Sequence, residues 1–177
     1  MKKISLVVAY ILPSLLGVAQ YKVVDSKSSV KFNIRNFGIG ISGAFTGLEG
    51  DISFDPKNPA NATFRVTIDA GSVNTDNSLR DGHLKGESYF NVAQYKRISF
   101  QSTKISVTPN TGALVLYGKL TIKNHTQDIS FPFTAEPSGD GWLFKGSVTI
   151  NRRDFEVGGF STISDNATVT LSVFVGK

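Results

Sequence analysis

Arg80, Asp81 and His83 form the one short stretch of this chain whose residue types could do acid–base or anion chemistry, and His83 is one of only two histidines. A carboxylate beside an imidazole is a pairing that general acid–base catalysis uses. The spacing argues against a shared target, because two positions along a helix turn side chains about 200° apart. No serine or metal-ligand cluster stands out to complete a site. The competing role is structural, a polar network that caps and orients a lid, and it is the favoured one. His125, beside Asn124 in a turn, is expected to be exposed. With two histidines and no cysteine, a transition metal would rest largely on carboxylates, so no metal or other cofactor is expected. Arg152, Arg153 and Asp154 could meet an anionic head group, but pairing among themselves on a hairpin is the better reading.

The stretch that carries the trio, residues 76–100, is where the chain stops alternating like strand. Ser78 can cap a helix, with Asp81 three residues on as in a capping box. Asp81 and Lys85 are spaced i,i+4, and Gly86 can end the helix in a left-handed conformation. About two turns result, short enough to depend on docking through Tyr89, Phe90 and Val92.

Everything around that stretch reads as antiparallel strand. Val30, Phe32 and Ile34 alternate with Lys31, Asn33 and Arg35, the period of a half-buried strand. Residues 41–54 alternate more loosely, with Gly43, Gly47 and Gly50 marking bends. Phe64, Val66 and Ile68 mark another strand. Ile98 and Phe100 lie on one phase and Ile105 and Val107 on the other, which predicts a bulge near Thr103 and Lys104. Turns are expected at 55–59, 109–112, 124–125 and 137–141, and a long polar connection at 151–166 precedes the last strand. Eight or nine strands at short, even spacing indicate one all-β domain, a sandwich or an up-and-down barrel. Thirteen phenylalanines enrich the inward face. A barrel of about eight strands is either filled by its own side chains or holds one small ligand, and periodicity does not choose between them.

Residues 1–19 read as a signal peptide: Lys2 and Lys3, an apolar run from Ile4 to Leu16, then Gly17-Val18-Ala19. Residues 20–177 form the single mature domain. Without cysteine there is no lipid-acylation site, no disulfide and no thiolate, which points to a bacterial periplasmic or secreted protein with no stable membrane anchor in its mature form. Loss of Lys2 and Lys3 takes the net charge from +5 to +3. The remaining basic residues are scattered, so no nucleic-acid partner is expected.

Taken together, several blocks resemble the YceI-like family of exported polyisoprenoid-binding proteins. They are Arg80-Asp81-x-His83-Leu84, Tyr89-Phe90-Asn91-Val92, Ile98-Ser99-Phe100-x-Ser102-Thr103, Gly118-x-Leu120-Thr121-Ile122 and Ile150-Asn151-Arg152-x-Asp154-Phe155. Ser28 stands where the family commonly has a histidine. The resemblance implies an extended lipocalin-like antiparallel β-barrel of about eight strands with a short helical insertion. It also implies a long apolar pocket for an isoprenoid or other amphiphilic lipid, and no established catalysis. Candidate pocket residues are Phe32, Ile34, Phe45, Phe64, Val66, Phe100, Leu116, Phe131, Phe133 and Phe144. Candidates for the ligand head or lid are Arg80, Asp81, His83 and Tyr89. A homodimer is compatible with this reading. Two alternatives stand beside it: a small secreted enzyme using Asp81 and His83, and a dry-cored barrel binding a protein or glycan through its loops.

Overall fold

The computed structural model describes residues 19–108 and 113–177. The expected signal peptide, apart from Ala19, and the turn expected at 109–112 lie outside the described residues. Ten strands run in chain order: β1 (Gln20–Val23), β2 (Ser29–Asn36), β3 (Ile39–Phe45), β4 (Glu49–Ser53) and β5 (Thr63–Asp69), then β6 (Arg97–Val107), β7 (Leu114–Ile122), β8 (His125–Ser138), β9 (Gly141–Asn151) and β10 (Asn166–Gly176). One α-helix, α1 (Ser78–Lys85), interrupts them. All pairings between strands are antiparallel, and β1-β4-β5-β6-β7-β8-β9-β10 forms a ring of eight that the β1–β10 pairing closes. The molecule is therefore a closed lipocalin-like barrel, as the residue pattern and the resemblance together led one to expect.

The two additional strands come from breaks that alternation does not announce. A 3-10 turn at Asp25–Lys27 splits the first stave, so that β1 pairs with β4 while β2 pairs with β3. The loosely alternating stretch 41–54 breaks between β3 and β4. One side chain ties the two breaks together: the Asp25 carboxylate accepts from Gly47 N at 3.0 Å and Leu48 N at 2.8 Å. Ser28 mends the seam on the other flank, accepting from Phe174 N at 3.0 Å and donating to Val24 O at 2.8 Å. The bulge in β6 falls between Ser102 and Lys104, as the phase change predicted.

Beyond the isolated bridge Ala44–Asn74, β3 makes no strand pairing on its outer edge among the described residues. The connection between β5 and β6, which contains α1, meets β3 on that side: Ser72 Oγ accepts from Thr46 N at 2.9 Å, and the Phe90 ring meets Phe45 edge-on at 5.5 Å. The helix begins one residue earlier than the sequence suggests. Asn77, not Ser78, is the N-cap, its side chain accepting from Arg80 N at 2.9 Å. Gly86 ends the helix in an extended rather than left-handed conformation, and the left-handed residue of the following turn is Asn91.

One end of the barrel is closed by aromatic packing. Phe64 meets Phe144 edge-on at 5.1 Å and Phe133 at 5.7 Å, and Phe54 lies 5.2 Å from Phe144 and 4.9 Å from Trp142. Each such pair adds about 0.5–1.5 kcal/mol beyond area burial. The Trp142 Nε1–H donates to Tyr21 Oη at 3.2 Å, so the half-buried indole has its polar atom satisfied. At the opposite end Ile122, Phe155 and Val157 form a second buried cluster with Tyr89 and Phe90 packed against it.

Candidate ligand cavity and its lid

Between the two clusters the barrel is hollow. A cavity of about 420 Å³ runs along its axis, within the range typical of small-molecule sites. The dry-core alternative therefore does not hold. Of the ten residues singled out as pocket candidates, all ten line the cavity. Phe64, Leu116, Phe131, Phe133 and Phe144 are buried and make its floor. Phe32, Ile34, Phe45, Val66 and Phe100 are only half-buried although they point inward. In a closed barrel, that residual exposure faces the lumen.

The rings stay out of the lumen because glycines receive them. Phe32 pairs across the strands with Gly43, and a Cβ on Gly43 would collide with the end of the Phe32 ring. Gly118 pairs with Ser102 rather than Phe100, but a Cβ there would likewise collide with the Phe100 ring, which reaches over it diagonally. A ring laid over a neighbouring glycine covers backbone and fills the wall rather than the interior. Thus a barrel rich in phenylalanine keeps an open core.

The cavity wall also includes residues that aromatic content alone did not mark. Val30 and Leu171 face one another across β2 and β10, as do Phe32 and Val169. Val148 pairs with Val169 across β9 and β10, and all of these line the cavity. The same period-two pattern that picked out the phenylalanines identifies these aliphatic positions too.

The rim by α1 is polar. Thr75, only 5% exposed, is gripped on three atoms by the helix. Asp81 Oδ1 accepts from Thr75 N at 2.9 Å and from Thr75 Oγ1 at 2.6 Å. Arg80 Nε donates to Thr75 Oγ1 at 2.7 Å, and Arg80 Nη2 donates to Thr75 O at 2.9 Å. Asp81 thus holds the lid to the chain before it and forms no ion pair with Lys85 among the described residues. Arg80, His83 and Tyr89 line the cavity, whereas Asp81 does not. His83 is also exposed to solvent, so the cavity wall reaches the surface beside α1. The structure therefore turns Asp81 toward Thr75 and leaves His83 at the surface, so the two do not face a common target.

Replacing Asp81 with Ala should leave the buried Thr75 N–H without its carboxylate, costing about 1.5–3 kcal/mol. Calorimetry should show the lower melting temperature, and hydrogen exchange should show faster opening of α1. His83→Ala should change neither, because no hydrogen bond or ion pair engages the His83 side chain among the described residues, and its backbone bond from Gly86 N is kept.

Arg152 is the residue that sequence reasoning placed least well. It is 6% exposed and does not pair with its neighbours. Its guanidinium donates to the carbonyls of Val157 at 2.8 Å, Gly158 at 2.6 Å, Ile163 at 3.0 Å and Ser164 at 3.0 Å, with Asp165 as its ion-pair partner at 3.2 Å. The connection between β9 and β10 is thereby wrapped around one cation. Gly158 N in turn donates to Ser88 O at 2.8 Å, joining this loop to the lid. His125 is likewise not free in a turn: it opens β8, the left-handed turn residue is Lys123, and His125 Nε2 lies 3.3 Å from Glu156 Oε2.

The sequence pattern of the YceI-like domain matches residues 21–175. The chain belongs to the YceI-like family. A UPF0312 protein of Shewanella oneidensis is 30% identical to this YceI-like chain over 155 residues, covering 82% of it and 80% of the relative. Among solved structures, BcnA of Burkholderia cenocepacia superposes on the YceI-like barrel with a TM-score of 0.80 at 25% identity, covering 86% of this chain and 98% of BcnA. A polyisoprenoid binding domain from Saccharophagus degradans, implicated in plant cell wall breakdown, shares the fold with a TM-score of 0.70 at 15% identity, covering 88% and 97%.

Proposed function

We propose that this YceI-like chain is an exported, non-catalytic carrier that holds one isoprenoid or other long-chain amphiphilic lipid with its tail in the barrel and its head at the α1 rim. The observation that carries this reading is the hollow interior, lined almost wholly by aliphatic and aromatic side chains and bordered at the surface by His83 with Arg80 beside it. Moving a hydrocarbon tail from water into such a space stabilises the complex by about 0.8 kcal/mol per buried CH2. Rim groups that keep contact with water can hold a polar head without burying it. The Saccharophagus domain, described as polyisoprenoid binding, is consistent with an isoprenoid tail, although its likeness extends to the fold alone. Export is supported by the basic, apolar and small-residue order of residues 1–19. Absence of catalysis is supported by the commitment of Asp81 to Thr75.

Native mass spectrometry of the protein purified from its exporting host should show one amphiphile per chain. Repeated preparations that carry no bound amphiphile, and that take none up from added isoprenoid lipid, would sink the reading.

A further inference from the structure

Six large hydrophobic side chains stand exposed among the described residues, and the four most exposed belong to one end of the barrel. Phe37 (77%) and Ile39 (71%) are at the tip of the β2–β3 hairpin, Leu79 (72%) is on α1, and Phe160 (98%) is in the β9–β10 connection. Antiparallel order places those three connections at the same end, and direct bonds fasten two of them together. Phe37 N donates to Thr162 O at 3.2 Å, and Ser164 N donates to Arg35 O at 2.8 Å. It is also the end at which the cavity wall reaches the surface, at His83 of α1.

Two features mark these tips as more than chance exposure. Phe37 has a positive φ of 49° and precedes Gly38 at 79° in a two-residue turn. Both central positions of such a turn favour Asn, Asp or Gly, and a bulky aromatic there is strained. Strain of this kind concentrates at functional sites. At the neighbouring tip, the Arg153 guanidinium lies 4.5 Å over the Phe160 ring. An aromatic plate backed by a cation suits the boundary between head groups and acyl chains.

We infer that this end of the barrel docks on an anionic phospholipid bilayer. Phe37, Ile39 and Phe160 enter the head-group boundary, and Arg35 and Arg153 meet the phosphates. Isolated apolar tips on separate connections fit a fluid surface. A second copy or another protein would need a contiguous, complementary face of roughly 800 Å² per partner. Of the acids in the β9–β10 connection, Asp165 is paired with Arg152 and Glu156 with His125, whereas Arg35 and Arg153 form no ion pair among the described residues, so these two cations supply the local attraction to an anionic surface. Docking rests on the carrier reading only for its purpose, which is to set this end of the cavity against the source or destination of the lipid.

The test is flotation of the protein purified from its exporting host with phosphatidylcholine vesicles, with and without phosphatidylglycerol. The chain should float with the mixed vesicles, less with the neutral ones, and less again at high salt. Phe160→Ser and Phe37→Asn should each lower the bound fraction by about tenfold. Phe37→Asn should keep or raise the melting temperature, since Asn tolerates the left-handed backbone, so lost binding would not reflect lost folding. Three results would overturn the inference: a wild-type chain that stays with the unbound fraction, variants that float as well as wild type, or a dimer that Phe160→Ser dissolves. Native mass spectrometry on the same samples separates the two readings. Lipid in the cavity without flotation refutes docking alone; flotation of a chain that never takes up lipid refutes the carrier alone.

Discussion

Two phenylalanines placed inside the barrel, Val148→Phe with Val169→Phe, should abolish lipid uptake while leaving the fold intact. The two valines pair across β9 and β10 and both line the cavity. New rings there would stand side by side in the lumen as a cross-strand aromatic pair. In a tightly filled core such additions would force strain of about 1–3 kcal/mol each. In a hollow barrel they occupy empty space and bury apolar area, so the melting temperature should stay near or above that of the parent. Calorimetry and native mass spectrometry on the same sample read both sides of the expectation. A destabilised double variant that still carries lipid would mean that the guest lies elsewhere.

Replacing Arg152 should have the largest effect on stability. Arg152→Met keeps the apolar stem but removes every donor, leaving the carbonyls of Val157, Gly158, Ile163 and Ser164 without the guanidinium and Asp165 without its partner. Breaking a buried, hydrogen-bonded charge typically costs about 3–5 kcal/mol. For a domain of this size each kcal/mol lowers the melting temperature by about 2–4 °C, so a fall of roughly 6–20 °C is expected. Arg152→Lys should recover little of it, because one ammonium cannot reach carbonyls arranged around a planar fork. Hydrogen exchange should show the loss spreading from residues 156–165 to the lid through the Gly158–Ser88 bond. An Arg152→Met variant that melts with the parent would show that the loop holds itself.

Much of this architecture was legible in the residues, and the parts that were not share a physical cause. Period-two alternation tells which way a side chain points, so Phe32, Val66, Phe100 and Phe131 were assigned inward correctly, and the phase slip in β6 marked its bulge. Alternation does not tell how far away the opposite wall is. The hollow depends on where rings lie relative to glycines on neighbouring strands, a relation between residues distant in sequence. The breaks at Asp25–Lys27 and after β3 were hidden for the same reason, since Asp25 mends them through amides more than twenty residues away. The lid was foreseen as a short polar helix ending at Gly86, but its cap, the conformation of Gly86 and the partner of Asp81 differ; that partner, Thr75, lies before the segment in which partners were sought. Arg152 was read through its charged neighbours in sequence, while its true partners are backbone carbonyls. Carbonyls have no sequence signature.

The aromatic packing around Phe64, Phe133 and Phe144 makes the barrel a tube with a blind end. A guest that goes in beside α1 has to back out by the same path, so the tail is first in and last out, and nothing threads through. Such a tube acts as a ruler. A chain too short leaves a void at the floor, and a chain too long keeps its surplus methylenes in water, so the depth of those three rings sets the length of cargo that is held best.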